Sequence, residues 1–124
     1  MAKIQSFRDL IVWQKAMALA REVYLSTRDF PKEETYGLTS QLRRASVSVA
    51  ANIAEGQARS TKGEFVQFLG IAKGSLAELE TLIVLSTDLA FMNKNDSARL
   101  VNSSLEIGRL LTGLRRALVT RDNP

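Results

Sequence analysis

Apolar residues recur at intervals of three and four along most of the chain, the spacing of one face of an α-helix. A first segment, Phe7 to Thr27, carries Leu10, Trp13, Met17, Ala20 and Tyr24 at that spacing. It stops before Pro31, whose ring pushes Phe30 out of helical conformation. Pro31 suits the first turn of a second helix, where Glu33 and Glu34 would face the positive end of the helix dipole. Leu38, Leu42, Ala45, Val49 and Ile53 continue that segment to Glu55, with Gly56 as the expected stop. Thr61 and Glu64 match a capping box that opens a third helix. Phe65, Leu69, Ala72, Leu76, Leu79, Ile83 and Ala90 mark its face. Asn93 to Asp96 can end one helix and cap the next, whose stripe is Leu100, Ser104, Ile107, Leu111, Leu114 and Leu118. The pattern predicts helices over about 7–27, 31–55, 62–91 and 96–119. Short links between them make an all-α fold, a single-domain antiparallel up-down four-helix bundle. Trp13, Leu42, Val49, Ile53, Leu76 and Leu111 are expected in its core.

Two segments have more apolar faces than one bundle can cover. Opposite the Leu42 stripe of the second segment lie Val47, Ala51 and Ala54, where charge is expected. Ile71, Leu82, Leu85 and Leu89 likewise lie off the main stripe of the third. Such faces fit either a heavily packed central helix or self-association as a closed homo-oligomer. A polar stripe, Gln41, Ser48, Asn52 and Glu55, runs along one flank of the second segment. A carboxylate beside an amide and a hydroxyl could do acid–base work, but inside a helix such groups more often satisfy one another.

Composition narrows the chemistry. The 124 residues suffice for one core, and the absence of cysteine and histidine removes thiol nucleophiles, Cys/His zinc sites and Ser/His pairs. Glu78 and Glu80 point to different sides of a helix, so they make a poor metal pair, and no metal, cofactor or enzymatic activity is expected. Gly70 to Ser75 has the wrong order for a phosphate loop and lies within a helix. No apolar run is long enough to span a membrane and no secretory leader is evident, so a cytoplasmic protein is expected. The net charge of +4 favours phosphate contacts only modestly.

The run Phe30-Pro31, Gly37-Leu38, Gln41-Leu42-Arg43-Arg44-Ala45, Ser48 and Ala51-Asn52-Ile53-Ala54-Glu55-Gly56 resembles a four-helix bundle family. That family is named after proteins encoded in intervening sequences of 23S ribosomal RNA genes. Leu10-Ile11-Val12-Trp13 and Gly74-Ser75-Leu76-Ala77-Glu78-Leu79-Glu80 add to the likeness, whereas the segment after Asn93 matches nothing distinctive. The resemblance implies a small bacterial homopentamer. It also implies kinship with accessory proteins of diversity-generating retroelements, which bind nucleic acid and a reverse transcriptase.

Arg43 and Arg44, joined by Arg59, Lys62 and Lys73, are the candidate RNA- or DNA-binding residues. As neighbours on a helix, Arg43 and Arg44 diverge by about 100° and cannot share one target. Ion pairing with Glu34, Glu55 or Glu78 is the competing role. The function expected is a non-catalytic homo-oligomer that binds nucleic acid or a nucleoprotein partner. A protein-directed scaffold is the alternative.

Overall fold

The computed structural model describes residues 5–120. Among them the regular structure is wholly helical: α1 (Ile11–Ser26), α2 (Leu38–Gln57), α3 (Lys62–Asp88) and α4 (Lys94–Thr120), with 3-10 turns at Phe7–Asp9 and Lys32–Glu34. Lys15 pairs with Glu106 and Glu22 with Arg99, so α4 descends as α1 rises. The same reversal relates α2 to α3, where Ser48 meets Ser75 and Gly56 meets Phe65. It also relates α3 to α4, where Gly70 faces Arg115 and Leu76 faces Gly108. Each helix packs on its sequence neighbours and α4 closes on α1, while among the described residues the backbones of the diagonal pairs stay apart. The α2–α3 seam is the most extensive and the α1–α4 seam the thinnest.

Local hydrogen bonding moves several boundaries from the predicted ones. Ser6 Oγ accepts from the Arg8 N–H, while Asp9 Oδ2 accepts from the N–H groups of Gln5 and Ser6. This self-satisfied turn ends at Leu10, which is extended (ψ 124°), so α1 starts at Ile11 rather than Phe7. Pro31 is also extended (ψ 140°) and opens only a 3-10 turn. Glu34 Oε1 then accepts from the Leu38 N–H at 3.1 Å, capping α2 where it begins.

At the far end of α3, the N–H groups of Phe91 and Met92 return to the Ser86 carbonyl at 2.9 and 3.2 Å. Ala90 takes the left-handed φ of 64° that this turn needs, so α3 ends at Asp88 and Ala90 leaves the helical stripe. Thr61 Oγ1 accepts from the Glu64 N–H, and Asn93 Oδ1 from the Asp96 N–H, capping α3 and α4.

Gly56 does not stop α2. It lies buried inside the helix, and a Cβ there would fall 2.7 Å from Phe68 Cβ and 3.1 Å from Phe65 Cδ1. Its role is to let α2 and α3 approach. Gly74 is the reverse case, with nothing within 4 Å of a Cβ position.

The core unites Leu42, Val49 and Ile53 with Leu69, Leu76, Leu79 and Ile83, and with Leu100, Ile107 and Leu111. Burial of each such side chain stabilises the fold by about 1.5–3 kcal/mol. Helix α1 contributes Val12, Ala16, Leu19 and Val23, together with Ala20, the one buried member of the predicted stripe. Trp13 and Met17 are half-buried against the edge of the core, and Tyr24 is exposed. Trp13 rests edge-on against Phe7 at 5.1 Å. Leu82, expected on a second face, is inside the bundle at 7% exposure.

Candidate functional site

The predicted basic residues do not converge. Arg43 lies on the α1 side of α2, where its Nε donates to Thr27 Oγ1 at 3.0 Å and its guanidinium covers the Tyr24 ring at 4.6 Å. Thr27 in turn donates to the Val23 carbonyl, so Arg43 clasps the end of α1. Arg44 lies on the other flank, in a polar hollow with Gln41, Ser48 and Glu78. Arg59 is engaged by Glu55 at 3.0 Å, by Glu64 at 3.9 Å and by the Phe68 ring. Lys62 is exposed in the first turn of α3, and Lys73 lies toward α4. Arg59 and Lys62 thus share the α2–α3 turn, whereas Arg43, Arg44 and Lys73 each lie elsewhere on the bundle.

Lys73 does meet basic residues that the sequence reading missed. A groove of about 510 Å³ between α3 and α4 has Leu76, Ala77, Leu105, Gly108 and Gly113 in its walls. Lys73, Arg109 and Arg116 line it, with Glu80 as its only acidic residue. None of the three cations has an ion-pair partner among the described residues. Arg115 is occupied differently, donating to the Val66 carbonyl at 3.3 Å beside Gly70. Arg109 and Arg116 are seven residues apart, hence on one face and about 10 Å apart along the helix.

A second groove, of about 520 Å³, runs between α1 and α2. Met17, Ala20, Tyr24, Leu25 and Val47 line it together with Arg21, Arg28 and Arg43. Tyr24, Leu25 and Val47 are each about half exposed, at 45%, 50% and 45%. Ala51 is exposed and Ala54 half-buried, one and two turns beyond Val47 on α2. On α3, Ile71 and Leu85 are similarly exposed, as is Leu89 just past its end, and Glu78 stands between Ile71 and Leu85 on the same stripe. Leu82 alone of the expected second-face residues is withdrawn into the core.

The polar stripe of α2 is largely a seam. Ser48 and Ser75 hydroxyls meet at 2.9 Å across α2–α3, and Asn52 Nδ2 donates to the Ser48 carbonyl and hydroxyl at 2.8 and 3.0 Å. Glu55 serves Arg59, while Gln41 is exposed in the hollow beside Arg44. No described group of three acidic side chains could hold a metal ion, and no described helix is long and apolar enough to cross a membrane. The Lys15 hydrogen bond and charge hold the Glu106 carboxyl below the usual carboxylate range, with a smaller contribution from the charge of Arg109.

Residues 8–113 match the family model described as 23S rRNA-intervening sequence protein. The chain belongs to that family. Its fold is shared with a solved structure from Bacteroides thetaiotaomicron, described as a protein of unknown function from the S23 ribosomal protein family. The TM-score is 0.76 at 22% identity, over 85% of this chain and 98% of the other. No curated protein matches the chain significantly. The stretch shared with the intervening-sequence family includes Lys73 and Arg109 but ends before Arg116. The i, i+7 pairing of Arg109 with Arg116 was the available sequence signal for the α3–α4 groove.

Proposed function

We propose that this intervening-sequence family protein is a non-catalytic, cytoplasmic bundle that assembles with copies of itself and binds nucleic acid through a basic surface. The observation that carries the binding half is the grouping of Lys73, Arg109 and Arg116 around one groove without ion-pair partners among the described residues. Cations left unpaired at that spacing suit successive backbone phosphates, and they leave sequence unread. The assembly half rests on the half-exposed apolar residues of α1, α2 and α3. Five copies, and a reverse transcriptase as protein partner, are what the family resemblance adds.

The test is binding of labelled single-stranded RNA and duplex DNA at several salt concentrations. Replacing Lys73, Arg109 and Arg116 by alanine should weaken binding and flatten the salt slope by up to about 3. Unchanged affinity and slope would overturn the phosphate reading. The apolar walls of the groove, Leu76, Ala77 and Leu105, favour the competing reading of a protein-directed scaffold. Failure to bind either nucleic acid at low salt, with assembly intact, would select it.

A further inference from the structure

The α3–α4 groove is not uniform along its length. Leu76 faces Gly108 and Gly70 faces Arg115 across the α3–α4 seam, which fixes the register of these antiparallel helices. Counting from those contacts, Ser104 lies level with Glu80, and Lys73 lies between the levels of Arg109 and Arg116. Ser104 and Arg116 are about 18 Å apart along α4 at 1.5 Å per residue. One end of the groove therefore offers a hydroxyl and a carboxylate, the other three cations, and Leu76, Ala77 and Leu105 wall the space between.

Ser104 is only 3% exposed, it lines the groove, and its hydroxyl has no hydrogen-bond partner among the described residues. A buried hydroxyl left in that state costs free energy that a polar group of a ligand would recover. Glu80 also lacks an ion-pair partner among the described residues, so its carboxylate is open to a hydrogen-bond donor. The same charge keeps phosphate away from this end. Neighbouring groups do not cancel the cationic end: Glu106, which senses Arg109, is held by Lys15, and Arg115 beside Gly70 adds positive charge.

We infer that the groove takes a single strand of nucleic acid lengthwise, its phosphates on Lys73, Arg109 and Arg116 and one unpaired, amine-bearing base at Ser104 and Glu80. This inference rests on the nucleic-acid reading above and names the kind of strand that the groove requires. In a duplex the base faces are stacked and the pairing edges occupied, so the apolar walls and the Ser104–Glu80 end would stay empty. An unpaired base can lay its face on the aliphatic walls and turn its edge to that end. No aromatic side chain among the described residues lines the groove, so stacking adds little and the edge contact decides between bases. The Glu80 carboxylate only accepts hydrogen bonds. It favours cytosine, adenine or guanine, whose exocyclic amines donate, over uracil, which presents a carbonyl where cytosine has its amine. The Ser104 hydroxyl can donate or accept and does not discriminate.

Fluorescence anisotropy with labelled oligocytidine and oligouridine of one length, longer than the groove, tests this, because the two strands differ at that one edge. Oligocytidine should bind about fivefold more tightly, the worth of one hydrogen bond. Glu80→Gln should bring the ratio close to one, since an amide can offer either a donor or an acceptor. Ser104→Ala should weaken both strands by about fivefold. Phosphate contacts alone favour a duplex, whose charge is denser, yet a duplex of the same length should bind more weakly than oligocytidine. Circular dichroism confirms that each variant keeps its helices. A ratio near one in the unmodified protein, a ratio that survives Glu80→Gln, indifference to Ser104→Ala, or a duplex bound as tightly would each overturn this inference and leave the phosphate reading intact. A poly-glutamate peptide bound as tightly as oligocytidine would overturn it in favour of an acidic protein partner. Binding of no nucleic acid at low salt would overturn the nucleic-acid reading itself.

Discussion

Replacing a glycine inside a helix with alanine ordinarily stabilises a protein by about 1 kcal/mol, because alanine has less backbone freedom to lose. Gly56 should break that rule. Its added methyl would sit 2.7 Å from Phe68 Cβ, 3.1 Å from Phe65 Cδ1 and 3.3 Å from the Phe65 carbonyl oxygen. Phe68 Cβ and the Phe65 carbonyl are fixed to the backbone of α3, so no side-chain rotation relieves the clash and the two helices must part. Overpacking of this kind costs about 1–3 kcal/mol, which outweighs the propensity gain. We expect a net loss of about 1 kcal/mol for Gly56→Ala, within the spread of those two magnitudes. Gly113 is the control: it lies in α4, and a Cβ there meets nothing within 4 Å, so Gly113→Ala should gain up to about 1 kcal/mol. For a chain of this size the two variants should differ in Tm by about 5–10 °C. Thermal unfolding followed by circular dichroism, at one fixed protein concentration, measures this directly. If Gly56→Ala proves as stabilising as Gly113→Ala, the argument that Gly56 sets the α2–α3 spacing is wrong.

Two further outcomes follow from the caps and the charges. Thr61→Ala removes the acceptor for the Glu64 N–H and should cost about 1 kcal/mol in urea unfolding; a change below about 0.3 kcal/mol would mean that water replaces the cap without loss. The Glu106 carboxyl, depressed by Lys15, titrates at lower pH folded than unfolded. Its contribution to stability is therefore present above the unfolded pKa and lost as pH falls through the folded one. Lys15→Met should move the Glu106 midpoint, read from its carboxyl carbon by NMR, upward toward the ordinary carboxylate range; an unmoved midpoint would contradict that cause.

The helices of the fold were legible because α2, α3 and α4 each carry a main apolar stripe that periodicity can find, whatever other apolar residues α2 and α3 present. Leu42, Val49 and Ile53, or Leu100, Ile107 and Leu111, are buried as their spacing requires. Helix α1 was harder. It is apolar on two adjacent faces, and the larger residues, Trp13, Met17 and Tyr24, lie on the face that only borders the core. Val12, Ala16, Leu19 and Val23, smaller on average, fit the interior where four helices crowd together. Side-chain size therefore pointed to the wrong stripe.

The candidate site was less legible because sequence adjacency is not spatial adjacency. Arg43 and Arg44 are neighbours in the chain, yet one clasps α1 and the other fronts the α3 side. Lys73 finds its companions in α4, on the far side of a turn, through residues with no distinctive local pattern. Gly56 misled for a related reason. A glycine after a helical run can end the helix or admit a neighbour, and only the position of Phe65 and Phe68 decides between them.

The thin seam between α1 and α4 sets an order of events. Exposed ion pairs, Lys15 with Glu106 and Glu22 with Arg99, bridge that seam, and salt screens them. The α2–α3 hairpin, by contrast, joins residues close in sequence across the broadest contact in the molecule. Contacts of short sequence separation form fastest, whereas joining α1 to α4 must close a loop containing both middle helices. Folding is therefore expected to proceed from the central hairpin outward. Opening should begin where the first and last helices meet, so native-state hydrogen exchange should find amides of α1 and α4 exchanging before those of α2 and α3; the reverse order would contradict this reading.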